Sequence, residues 1–254
     1  MRQLNIFALE KIPLIIPGDN LAKIIFNALK KSKLVIQDGD VFVIAQKIVS
    51  KAENRYVTLS EILPSKKASV LAQKTDKDPR LVELILRESK KVVRFRKGVI
   101  VVENKLGFIH ANAGIDRSNI ESDSLNPRVL LLPKNPDLSA QQLQKELSKF
   151  LRKKVGVIIN DSTGRAWRNG IVGIAIGCSG VSVLSDLRGQ KDLYGRTLEV
   201  TEVGIADELA SSASILMGQS NEGLPVVIIQ GLKLSNDKRG SKALLRLAKD
   251  DLFR

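Results

Sequence analysis

The sequence holds a single cysteine, Cys178, and a single histidine, His110. One cysteine closes no internal disulfide and builds no cysteine-rich zinc site. One histidine excludes a histidine cage, and no Ser-His-Asp or Cys-His pair forms unless His110 itself supplies the base. Any metal must then be held mainly by oxygen, which selects magnesium or manganese. Cys178 lies in the small-residue segment Ile176-Gly177-Cys178-Ser179-Gly180, which suits a packed, inert thiol. No apolar run reaches the roughly 20 residues of a membrane-spanning helix. Residues 1–20 are interrupted by Glu10 and Lys11 and lack a small-residue cleavage site, so a cytosolic protein with no membrane partner is expected. Aromatic residues make up only 4% of the chain, and no base-stacking signature is present. Acidic residues are outnumbered, 27 Asp and Glu against 41 Lys and Arg, for a net charge of +14. The excess gathers at 87–105, 145–154 and 238–254. With so few aromatics, phosphate-bearing small substrates suit that surface better than nucleic acid does. Neither a Walker-type loop nor a G-x-G-x-x-G following a strand is present, so a bound nucleotide must be held some other way.

What is there reads as one α+β unit over residues 1–254, with room for two subdomains. The 43% hydrophobic content supplies a large core. Asp19-Asn20 caps a predicted helix to about Lys31. The turn Asp38-Gly39-Asp40 feeds a buried strand at 41–45, followed by the polar stretch Gln46 to Lys51. Two helices are expected within 64–88, with a break near 76–79. Strands around Arg96-Lys97-Gly98 and at 107–111 predict a meander. Ser139 with Gln142 has the capping-box spacing and predicts a helix start, with Leu143, Leu147, Phe150 and Leu151 on one face. A second strong strand, 155–159, ends at Asn160-Asp161. The glycine-rich stretch 164–195 reads as strands and tight turns. A helix at 205–217 is closed by Gly218. A third buried strand covers 224–230, and a basic helix is expected over 241–252.

Asp161, directly after its strand, is the best candidate carboxylate. Ser162, Thr163, Gly164 and Arg165 follow it with hydroxyls, a flexible glycine and a guanidinium. A divalent ion and a phosphate suit that set, and so does plain capping of backbone amides. Asp116, in Asn112-Ala113-Gly114-Ile115-Asp116-Arg117-Ser118-Asn119, fits a ligand site or an ordinary turn. Asp186-Leu187-Arg188-Gly189 and Lys191 to Arg196 fit an acidic substrate or an ion-pair cluster. Asp207-Glu208 sits where the helix dipole favours acids.

With these segments in view, the chain resembles the γ-glutamyl ligases of deazaflavin-coenzyme biosynthesis along nearly its whole length. The matching stretches include Ile12-Pro13-Leu14-Ile15 with Gly18-Asp19, Asp38-Gly39-Asp40-Val41, and Ser50-Lys51-Ala52-Glu53. Asn112 to Asp116 with Ser118-Asn119, Asp161 to Arg168, Asp186 to Gly189, Lys191 to Arg196, Ala206 to Ala210, and Met217-Gly218 complete the series. The resemblance implies a two-domain α+β fold and an intertwined homodimer. It implies that GTP phosphorylates a carboxylate of the deazaflavin precursor F420-0 and that the amine of L-glutamate attacks the acyl phosphate. It assigns one metal, Mg2+ or Mn2+, to Asp116 and Asp161, and a second to Ser162 and Gln219, with K+ as a further candidate ion. Arg165 joins Asp161 as a catalytic candidate. Ile12, Pro13, Leu14, Ile15, Gln46, Lys47, Lys51, Asn119, Met217, Gly218, Gln219, Ser220, Asn221, Glu222, Gly223 and Leu224 are implied to line the GTP site. The family usually has threonine where this chain has Ser162, so a hydroxyl is kept. Some members carry a glutamate where this chain has the neutral Gln219. A paralogue joining another acid to another amine, and a basic nucleic-acid-binding protein, are the competing readings.

Overall fold

A computed structural model describes residues 3–232 and 239–253. In chain order its elements are β1 (Asn5–Ala8), α1 (Leu21–Ser32), β2 (Val41–Ala45), α2 (Gln46–Ala52), β3 (Tyr56–Thr58), α3 (Lys66–Thr75), α4 (Pro79–Arg87), β4 (Ser89–Arg96), β5 (Val99–Asn104), β6 (Ile109–Ala111), β7 (Arg128–Leu130), α5 (Pro136–Leu151), β8 (Gly156–Arg165), β9 (Arg168–Ser179), β10 (Ser185–Asp186), β11 (Glu202–Val203), α6 (Ile205–Met217) and β12 (Val226–Gln230). The mixture is α+β, as expected.

A five-stranded sheet in the order β1-β12-β2-β8-β9 organises the chain, and only β2 and β8 run parallel. Strands buried on both faces read as unbroken apolar runs, because side chains alternate between two dry sides. Phe42, Ile44, Val157 and Ile159 face one core, packed with Ile25 and Leu29 of α1 and Leu143 and Leu147 of α5. Val41, Val43 and Ile158 face the other, against Ala206, Ala210 and Ala213 of α6. Each fully buried Ile or Phe there contributes about 1.5–3 kcal/mol. Both helix layers come close to β9, which therefore carries glycine. A Cβ on Gly177 would stand 2.3 Å from the Pro136 carbonyl oxygen, and one on Gly173 2.5 Å from that of Ala210.

A separate core joins α3 and α4 to the antiparallel meander β4-β5-β6, through Leu71, Leu81, Ile85, Ile100 and Val102. Asn20 caps α1 by accepting the Lys23 amide, as predicted. Asp78 caps α4 with Pro79 in its first turn, which explains the break near 76–79. β6 packs against β8 and so brings the meander to the large sheet.

Three expectations change. The helix expected from Ser139 begins earlier, at Pro136, and Asn135 caps it by accepting the Leu138 amide. Ser139 instead turns its hydroxyl to Glu53 and to the Asn135 carbonyl. The 46–51 stretch is a helix, α2, short enough that no periodicity marks it. The tail over 241–252 is not a continuous helix but two 3₁₀ turns, Ser241–Leu244 and Ala248–Asp250. Ser241 is pinned by Asp137 and by the Ile176 carbonyl, and the second turn buries no residue, so no packed face supports a helix there.

Candidate functional site

Parallel pairing of β2 with β8 sets Ala45 opposite Asn160, so the carboxyl end of β2 meets the middle of the longer β8. α2 starts at once with Gln46 and Lys47, and β8 continues into Asp161. The third contribution comes from the turn after β6. Asn112 (φ 52°), Ala113 (φ 58°) and Gly114 (φ 73°) wind through left-handed conformations. Asp116 is then fixed by paired backbone hydrogen bonds with Leu130.

The side chains converge. Gln46 Nε2 donates to Asp116 Oδ2 at 2.6 Å, and Lys47 Nζ stands 2.9 Å from the same oxygen. Gln46 is itself held by Ser50, whose hydroxyl donates to Gln46 Oε1 at 2.9 Å. Lys47 also donates to the Ser118 carbonyl at 3.1 Å. Asp161 is 9% exposed and accepts the Ser162 amide at 2.9 Å. Burial, and then the charge of Asp116, push its carboxyl up to about 7, against opposing pulls from the Ser162 amide, Lys47 and Gln46. Lys51 is lowered by burial and by Lys47, with Asp116 and Glu121 opposing.

A second loop closes on this group. Asn119 Nδ2 donates to the Ser220 carbonyl at 2.6 Å. Ser220 N donates to Glu222 Oε2 at 2.8 Å, which curls the segment after α6. Gly218 (φ 68°) lets that carboxylate lie against the backbone; a Cβ there would fall 2.0 Å from Glu222 Cδ. Met217 stays buried, and its sulfur accepts Asn160 Nδ2 at 3.3 Å. Asn160 thus ties the strand of Asp161 to the base of the 217–224 loop.

The structure therefore brings together Gln46, Lys47, Asp116, Asn119, Asp161 and Ser220. Other expected residues are placed differently. Arg165 is at the exposed end of β8, roughly 13 Å along the strand from Asp161, and donates to the Asn169 carbonyl. Strand alternation turns Ser162 to the face opposite Asp161. Gln219, Asn221 and Gly223 are exposed, and Leu224 is partly buried. Of the 12–15 stretch, Ile15 is buried in the main core, Ile12 packs against it, and Pro13 and Leu14 are exposed. The charged segment after β9 pairs with itself: Arg188 bonds Asp186 through two nitrogens and reaches Glu202. Asp207 accepts the Ala175 amide at 2.9 Å, a structural use. His110, which residue type alone did not place, is the unexpected neighbour, with Nδ1 3.5 Å from Asp161 Oδ2. Burial holds its pKa down at about 4, so the ring is neutral.

A buried and a half-buried carboxylate close enough to act on each other's charge, one forced toward neutrality, form a donor set that a hard divalent cation suits. Among the described residues no three His, Cys, Asp or Glu side chains gather around one point. An ion held by Asp116 and Asp161 must complete its shell with water and substrate oxygens, which is the habit of magnesium. Two clefts lie elsewhere, of ≈ 210 Å³ beside Arg55, Lys105 and Lys134 and ≈ 280 Å³ beside Asp19, Glu53 and Glu146. Among the described residues no helix is long and apolar enough to cross a membrane.

The family model described as F420-0:Gamma-glutamyl ligase matches residues 10–231. The coenzyme F420:L-glutamate ligase of Methanocaldococcus jannaschii is 45% identical, covering 100% of this chain and 98% of the relative. That of Methanothermobacter thermautotrophicus is 44% identical, covering 99% of each. That of Archaeoglobus fulgidus is 41% identical, covering 99% of this chain and 97% of the relative.

Proposed function

We propose, from the premise that this chain belongs to the F420-0:gamma-glutamyl ligase family, that it joins L-glutamate to the deazaflavin precursor F420-0 at the expense of GTP. A carboxylate oxygen of F420-0 attacks the γ-phosphorus of GTP, and GDP leaves with the electron pair of the broken P–O bond. The glutamate amine then attacks the acyl carbon, phosphate leaves, and the amine releases a proton as the amide forms. The observation that carries this reading is the coupling of Asp116 and Asp161 where the carboxyl end of β2 meets the middle of β8, beside Lys47.

Phosphoryl transfer needs positioning and charge neutralisation more than covalent help from the protein. Asp116 and Asp161 would hold a divalent ion, which when bound would supply charge neutralisation for phosphoryl transfer. Ser162, on the face of β8 opposite Asp161, and the exposed Gln219 would be this chain's donors for a second ion. Lys47 and Lys51 add point charges on the same helix. The contact of Asn119 with Ser220 sets the 217–224 loop over the site, where its backbone can border a nucleotide. Leu193, Tyr194 and Val200 are almost fully exposed on the segment between β10 and β11, an apolar surface that fits a homodimer contact.

The test mixes protein, GTP, Mg2+ or Mn2+, L-glutamate and F420-0 and follows glutamate addition by mass. Product and GDP in equal amounts are expected. GTP turnover only with a different acid, and no product from F420-0, would assign the chain to another substrate.

A further inference from the structure

We infer that His110 is a positioning residue for Asp161: its imidazole holds the carboxylate in the rotamer that faces Asp116. This rests on Asp161 being a cation ligand. His110 stands on β6, the strand that packs against β8, and is 3% exposed. Its Nδ1 lies 3.5 Å from Asp161 Oδ2, just beyond a full hydrogen bond. Its other nitrogen, Nε2, is buried and has no partner among the described residues.

That pattern is hard to explain as packing. A neutral imidazole with its proton on Nδ1 donates toward Asp161 and leaves Nε2 as an acceptor. A buried, unpaired polar atom destabilises a fold, whereas a phenyl ring of similar size leaves none. The surroundings are built for an apolar ring: Phe108 lies 5.7 Å away, centroid to centroid. The backbone also yields to the imidazole. Gly114, at φ 73°, leaves the space where a Cβ would stand 3.1 Å from Nδ1 and 2.7 Å from Leu132 Cδ1. The turn that shapes this space is the one that carries Asp116. One ring therefore registers the two carboxylate-bearing segments against each other. A carboxylate oriented from behind binds a cation better than one free to rotate.

The experiment compares wild type with His110→Phe, His110→Asn and His110→Gln. Asparagine keeps a donor near the Nδ1 position, while glutamine carries its amide toward Nε2. Mn2+ affinity is read by electron paramagnetic resonance, metal-free melting temperature by calorimetry, and kcat and KM for GTP by assay. His110→Phe is expected to melt no lower than wild type and to bind Mn2+ roughly 10- to 100-fold more weakly. His110→Asn should recover most of that affinity and His110→Gln little, and the rate defect should lie in kcat. Should the phenylalanine variant fail to fold, the Asn–Gln contrast decides. Wild-type Mn2+ affinity in the phenylalanine variant, or equal affinities in the Asn and Gln variants, overturns the inference and leaves the ligase reading standing. Mn2+ affinity in Asp161→Asn equal to that of wild type overturns the cation assignment itself.

Discussion

Asp161 and Glu83 are both 9% exposed, yet their environments push them in opposite directions. Glu83, on α4, takes hydrogen bonds from Ser65, side chain and backbone, and then from Arg87, which bring its carboxyl down to about 2. Asp161 is pushed up to about 7 by burial and then by Asp116, with the Ser162 amide, Lys47 and Gln46 opposing and a histidine just out of reach. The first carboxylate is complete within the protein. The second has only partial compensation, from the Ser162 amide, Gln46 and Lys47, which burial and Asp116 outweigh. Burial alone therefore does not identify a working acid; the number of bonds still owed to it does.

The largest expected effect comes from removing the charge that the site leaves unbalanced. If Asp161 holds an ion as proposed, Asp161→Asn should cut turnover by roughly 100-fold or more. Its metal-free melting temperature should stay level or rise near neutral pH, because a carboxyl whose ionisation the fold opposes is gone. Unchanged turnover, measured by glutamate addition, would erase the contrast between the two carboxylates. Glu83→Gln should do the reverse. It gives up charge-assisted bonds to Ser65 and Arg87 and should lose about 1–2 kcal/mol in a denaturant titration while keeping its rate.

Acidity separates the pair more gently. Between pH 3.8 and about 7 the folded Asp161 keeps a proton that the unfolded chain has lost, so metal-free stability falls as pH rises through that range. Glu83 is the opposite case: its contribution is present above pH 4.5 and is lost as pH falls toward 2. His110, neutral in the fold down to about 4, also favours stability as pH rises from there to 6.5 and partly offsets Asp161. Melting temperatures of wild type and Asp161→Asn, compared from pH 4 to 7, isolate the aspartate. The wild type should lose ground to the variant as pH rises, and added Mn2+ should reverse the trend. Parallel curves would show that Asp161 is ionised throughout.

Much of this frame was legible from residues alone. The apolar runs of β2, β8 and β12 stand out because both faces of the sheet are covered, and Asn20 announces its helix. Asn135 was hidden because Ser139 and Gln142 imitate a capping box one turn downstream. α2 has too few residues for a period to show, and its polar positions serve the site rather than a core. β1 pairs at the sheet edge and β3 spans three residues, so neither left a signal above its flanking loops. The meeting of Asp116 with Asp161 was proposed by family resemblance, since spacing alone left each open to a plain structural use. His110 escaped because a lone histidine on a short strand has no partner in sequence; only the packing of β6 on β8 brings it to Asp161.

The smallest expected effect lies at Gln219, on the loop that Asn119 holds over the site. Its amide is exposed, so Gln219→Glu adds a charge without a burial cost. If that position helps hold an ion, the carboxylate should tighten Mn2+ binding by up to roughly tenfold. Repulsion from Glu222 works against the gain, but that carboxylate is already bonded to the Ser220 amide and held low by hydrogen bonds within its own loop. The gain should shrink in high salt, because an exposed charge is screened, whereas the effect of Asp161→Asn should not. Weaker Mn2+ binding by Gln219→Glu, titrated at low and high salt, would place the second ion elsewhere and leave Asp116 and Asp161 as the only carboxylates of the centre.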